Sequence, residues 1–202
     1  MIKIKVFKIV SIFSLVFTLI ISGSKSHAIG YETFFDGFND ANPDGWIKMG
    51  NWYISNFDLE HYGVFTHSED GNISKALVEE LELSDQIIQT DLYLRDDNSN
   101  AGIILWFKDL NNFLEITIDP ITDNINIEEN ILGNITKTAY PYISDSQIWY
   151  NLKVKVNPDI GKLDVFINNE YLFSHNVITN IYNGRTGVHN NIGNAYFDKF
   201  II

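Results

Sequence analysis

At 202 residues, with 26 Asp+Glu against 14 Lys+Arg, the chain carries a formal net charge of −12 and contains no cysteine. An acidic surface repels phosphate backbones, which argues against nucleic acid as a partner. Without cysteine there is no lipid-modified cysteine, disulfide framework or thiolate metal site, so a hydrophobic core must hold the fold.

Met1 to Ile21 opens with Lys3, Lys5 and Lys8 and continues as the apolar run Ile9–Ile21; Ser22–Lys25 and then Ser26-His27-Ala28 follow. A charged start, a short apolar run and a small-x-small exit predict a secretory signal peptide spanning 1–28, cut after Ala28. The alternative, a retained anchor, needs about 20 uninterrupted apolar residues. Residues 29–202 are then a single domain of 174 residues, secreted and free of the membrane after cleavage. Four lysines and no acids leave with the signal, so 10 Lys+Arg face 26 Asp+Glu, a net charge of −16. That charge suits solubility, neutral sugars or cations.

From there the apolar pattern has period two. Ile88, Thr90, Leu92 and Leu94 share one face; Leu114, Ile116 and Ile118 share another; Leu152, Val154 and Val156, then Leu163, Val165 and Ile167, repeat the pattern. Such alternation predicts strands with one face on a core. Asp96–Asn100, Asp109–Asn111, Asn157–Gly161 and Asn168-Asn169 interrupt it with turn-forming residues. Leu77–Leu83 reads as a helix or a strand end. Strands at roughly 10-residue spacing with no other helical stripe predict an all-β, antiparallel two-sheet sandwich.

Three groups of residues recur in order along the chain. Phe35-Asp36-Gly37-Phe38, Asp44-Gly45-Trp46 and Gly50-Asn51-Trp52 come first, then Asn100-Ala101-Gly102-Ile103-Ile104-Leu105-Trp106. Trp149-Tyr150-Asn151, Gly184-Arg185-Thr186-Gly187 and Ala195-Tyr196-Phe197-Asp198-Lys199-Phe200 close the set. In this order the chain resembles the concanavalin A-like, laminin-G-like jelly rolls of bacterial secreted proteins. Among these it looks closest to fructan-binding modules and to sandwiches of unknown function found beside glycosidases. The resemblance implies a jelly roll whose concave sheet takes a poly- or oligosaccharide. Trp46, Trp52 and Trp149 read as core rings, and a bulge near Asp198 would let Phe197 and Phe200 share a face. Gly102 and Gly187 read as places of close backbone approach or bulging.

Strand parity places Trp106, Phe113 and Glu115 on the outward face of two adjacent strands, with Tyr93 and Arg95 outward on the preceding one. Arg185 and His189 follow near the C-terminus. The expected ligand set is therefore Trp106, Arg95, Tyr93, Phe113, Glu115, Arg185 and His189. Trp106 would be the stacking platform, standing where most of the family has arginine, which weakens any transfer of fructose specificity. The bland alternative buries Trp106 and Phe113 under a loop and leaves Arg95–Glu115 a surface ion pair. The resemblance also implies a structural calcium ion where first and last strands meet, held by Asp36, Asp40 and Asp198; turn capping is the competing role. No E-x-D-x-x-E run is present, so hydrolysis would need carboxylates from separate strands, with Glu115 and Asp91 the pair to test. The expected function is carbohydrate binding by a monomer; a hydrolase or a structural matrix protein are the alternatives.

Overall fold

Alternation becomes geometry in the computed structural model, which describes residues 34–67, 74–178 and 183–202. The expected signal peptide, 1–28, lies outside the described residues. In chain order the strands are β1 (Phe35–Asp36), β2 (Trp46–Met49), β3 (Trp52–Asn56), β4 (Gly63–His67), β5 (Ser74–Leu83), β6 (Ile87–Leu94), β7 (Asn100–Asp109) and β8 (Asn112–Asp119). They continue as β9 (Asn124–Ile131), β10 (Asn134–Pro141), β11 (Trp149–Asn157), β12 (Lys162–Ile167), β13 (Glu170–Asn176), β14 (Gly184–Ile192) and β15 (Ala195–Ile201). The only helical element among the described residues is a 3-10 turn at Pro158–Ile160. Leu77–Leu83, ambiguous in sequence, is strand.

Two antiparallel sheets result. One is eight-stranded, ordered β13-β12-β11-β6-β15-β4-β3 with β1 beside β15; the other is seven-stranded, ordered β10-β9-β8-β7-β14-β5-β2. Ile88, Leu92, Leu94, Leu152, Val154 and Val165 from the first meet Ile103, Leu105, Leu114, Ile116 and Val188 from the second in one buried cluster. Each such side chain contributes about 1.5–3 kcal/mol by leaving water. Trp46 and Trp52 are core as expected, packed in tilted and edge-on contacts among Phe38, Phe65, Phe197 and Phe200 at centroid separations near 5–6 Å. Polar ties also cross the sandwich; in one, Glu129 of β9 lies 3.0 Å from His175 Nε2 of β13, whose Nδ1 meets Tyr140 Oη at 2.9 Å.

Turn residues act where expected. Asn168 and Asn169 both take positive φ between β12 and β13, as a tight hairpin of right-handed twist requires. The bulge at the last strand is present: register shifts between Asp198 and Ile201, Lys199 has φ +48°, and Phe197 and Phe200 both reach the core. Gly102 is a close approach, since a Cβ there would collide with the Ile116 carbonyl oxygen.

Two tryptophan expectations are corrected. Trp106 does not point outward. Register shifts between Leu105 and Asp109, and Trp106 sits at the shift with φ +51°, so its ring turns inward beside Leu105 and is 1% exposed. Simple parity fails because the bulge adds residues to β7 without partners on β8. Trp149 is not core. It pairs in register with Tyr93, on the outer face of the eight-stranded sheet.

Candidate functional site

The outer face of the seven-stranded sheet carries the densest group of ionisable side chains. Lys75 on β5 stands opposite His189 on β14, and His189 stands opposite Gly102 on β7. Gly102 puts no side chain in that row, so Lys75 can reach across β14 and β7 to Glu115 on β8. Its Nζ bonds Glu115 Oε1, lies 3.2 Å from His189 Nδ1, and sits 4.3 Å from the centroid of the Phe113 ring. His189 Nδ1 is 3.3 Å from Glu115 Oε1, so the ammonium lies between two acceptors. On β9, Glu128 faces Glu115 in register and pairs with Lys137 of β10 at 2.7 Å. On the same face, beside this group, Leu77, Ile104, Phe107 and Phe113 form a second apolar cluster.

A pocket of about 350 Å³ opens here; Ser74, Lys75, Phe113, Glu115, His189 and Asn190 are among the residues of its wall. Burial pushes the Glu115 carboxyl up, against the opposing pull of the Lys75 charge and hydrogen bond, and the Glu128 charge adds to the push. Burial, reinforced by the Lys75 charge, holds His189 well below the ordinary histidine value. The ring is therefore neutral at pH 7 and its Nδ1 accepts from Lys75. Ser74 and Asn190 turn their side chains to the other face of the sheet, beside Ala76 and Val188, where Ser74 Oγ and Asn190 Oδ1 are buried and have no hydrogen-bond partner.

The linkage sign for His189 is definite. In the unfolded chain it takes a proton near 6.5, while the folded ring resists protonation until lower pH. The unfolded state then binds more protons, so this contribution is present above 6.5 and is lost as pH falls. Urea midpoints measured on either side of pH 6.5 are expected to drop on acidification, and His189→Gln is expected to flatten that slope. An unchanged slope in the variant would show that the ring titrates normally.

Of the seven sequence-predicted ligand residues, the pocket gathers Phe113, Glu115 and His189. Trp106 is core. Tyr93 and Arg95 are corrected to the opposite side of the molecule, because β6 and β7 belong to different sheets although consecutive in sequence. Tyr93 there joins Phe57, Trp149 and Tyr196 at 4.8–5.9 Å, and Arg95 Nη1 donates to Tyr196 Oη at 3.2 Å. Neither the outward triad nor an Arg95–Glu115 ion pair exists. Arg185 is half-buried at a register shift in β14 and is not part of the pocket wall. Asp91, the expected catalytic partner of Glu115, also lies on the other sheet, where Asn151 and Lys199 bind it.

Lys75, Ser74, Glu128 and Asn190 were missed. Ser74-Lys75 offers no motif, and Lys75 meets Glu115 only through the strand order β8-β7-β14-β5.

The calcium candidates are committed to protein donors. Asp36 accepts Trp46 Nε1–H at 2.7 Å and the Phe38 amide at 2.8 Å. Asp198 meets His61 Nδ1 at 2.7 Å and accepts the Lys199 amide, and Asp40 caps Asn42. Among the described residues no group of three or more His, Cys, Asp or Glu is placed to hold a metal. That set does not fit a calcium ion, which takes six to eight oxygens.

No protein-family model matches the chain, and no curated protein does. Solved structures do. The carbohydrate-binding module CBM66 from Bacillus subtilis superposes with a TM-score of 0.63 at 18% identity, covering 77% of this chain and 93% of that one. A GH16 endo-glucanase from Bacteroides ovatus gives 0.61 at 12% identity, over 84% of this chain and 99% of that one. The GH43 BlXynB protein from Bacillus licheniformis gives 0.61 at 17%, over 85% of this chain and 39% of that one. The fold is a concanavalin A-like jelly roll. Within this jelly roll the two outer faces differ in chemistry: one holds paired charges around a pocket, the other a row of half-buried aromatic rings under the 57–62 loop.

Proposed function

We propose that this jelly roll binds carbohydrate, with the pocket around Lys75, Glu115 and His189 as its ligand site, and that it does so outside the cell. The observation that carries the reading is the charge cluster enclosed in the pocket, with Lys75 Nζ held between Glu115 Oε1 and His189 Nδ1 above the Phe113 ring. Lysines and glutamates side by side supply donors and acceptors for vicinal hydroxyls, and Phe113 supplies an apolar surface for C–H groups. The volume, about 350 Å³, lies within the usual range of small-molecule sites. Similarity in fold to a carbohydrate-binding module and to GH16 and GH43 proteins supports the same ligand class.

Glycan cleavage is the second reading, because Glu115 and Glu128 face each other across adjacent strands. Each carboxylate, however, is paired with a lysine. Neither is free to act as acid or nucleophile, and binding fits the arrangement better.

Lys137→Ala separates ligand binding from architecture. Lys137 stands in the pocket wall with its side chain largely exposed, so losing its surface ion pair with Glu128 is expected to leave the melting temperature nearly unchanged. It is also expected to weaken retention in affinity electrophoresis on the polysaccharide that a glycan panel selects. Unaltered retention on that polysaccharide would end the assignment of this pocket, and reducing-sugar release from the panel would favour the hydrolase.

A further inference from the structure

We propose that a second site, at one end of the sandwich, holds a calcium-class divalent cation between two of the loops that carry the chain from sheet to sheet. Residues 95–99 connect β6 to β7, and residues 142–148 connect β10 to β11; each connection passes from the eight-stranded to the seven-stranded sheet or back. The loops meet where the Gln147 amide donates to the Leu94 carbonyl at 2.7 Å and Ser146 Oγ donates to Asp97 Oδ1. A cavity of about 620 Å³ opens beside that contact, and Asp97, Asn98, Ser144, Asp145 and Ser146 supply its oxygens.

Two observations converge on a cation. Asp97 and Asp145 bring two carboxylates to one cavity, and neither is among the ion pairs of the described residues. Independently, Ser144 is 6% exposed, stands in the same wall, and its Oγ has no hydrogen-bond partner. A hydroxyl oxygen left without a donor is satisfied by a metal as well as by a proton. The donor set is carboxylate, hydroxyl and amide oxygen, with no sulfur or imidazole. That set selects calcium over zinc or copper. Backbone carbonyls of the loops and water would complete the shell. With two carboxylates the affinity belongs to the weak extracellular class, a Kd of roughly 0.1–1 mM. Bound there, the ion would clamp both crossovers, a role independent of whatever the Lys75 pocket takes.

The test is calorimetric titration of calcium chloride into EDTA-treated protein, with melting curves alongside. One site in the stated range and a higher melting temperature with calcium are expected. Asp97→Asn and Asp145→Asn are each expected to weaken binding about tenfold or more while melting normally in EDTA. Ser144→Ala is expected to weaken it too, without lowering the melting temperature in EDTA. No heat and no shift would overturn the proposal. So would equal binding of magnesium, binding that survives both asparagine substitutions, or loss of binding in Asp36→Asn.

Discussion

Lys75→Met is expected to lower the folding free energy by about 3–5 kcal/mol, the usual consequence of removing one partner from a buried ion pair. Lys75 and Glu115 are both nearly inaccessible, and burial already pushes the Glu115 carboxyl up. Without the ammonium, Glu115 must either stay charged in a poorly solvated site or take a proton. The loss is therefore expected to shrink as pH falls, because a neutral carboxyl needs no counter-charge. Lys75→Met combined with Glu115→Leu is expected to recover most of the stability, since apolar replacement of a whole buried pair is often neutral or favourable. The double variant should nevertheless fail to retain polysaccharide. Urea denaturation of the two single variants and the double, with affinity electrophoresis of the double, measures both halves. A double variant that folds and still binds would leave the pair architectural only.

Trp106→Ala is expected to be comparably damaging to the fold and harmless to the pocket. Its ring is among the largest fully buried side chains, and its Nε1–H donates to the Ser84 carbonyl at 3.2 Å. Truncating a buried tryptophan costs about 3–5 kcal/mol through lost contacts and the cavity left behind. For a domain of this size that is a fall of roughly 6–20 °C in melting temperature. Polysaccharide retention measured below the new midpoint is expected to match that of the parent protein. The opposite pattern, a normal melt with lost retention, would put the ring on the surface.

These two residues show what was legible beforehand. Period-two alternation located the inward rows of β6, β8, β11 and β12, because one buried face forces every second residue to be apolar. It failed at Trp106, where a bulge shifts parity and nothing local in Leu105-Trp106-Phe107 announces the shift. Phe113 and Glu115 were found because β8 pairs with β9 without a break, and His189 because it lies in the stretch of β14 between its two register shifts. Tyr93 and Arg95 were grouped with them only because β6 precedes β7, and the chain changes sheets between those strands.

By itself, the sequence determined the sandwich class, the cores of most strands, the asparagine and glycine turns and the bulge at Asp198. All of these follow from local periodicity and backbone preference. Only the tertiary structure decided which strands lie side by side, and so which charges meet. Lys75 and Glu115 are 40 residues apart and belong to strands separated by two others in the sheet. Long-range strand order is set by how both faces bury together, so the Lys75 pocket, and with it the site for a ligand, becomes visible only once the sheets are assembled.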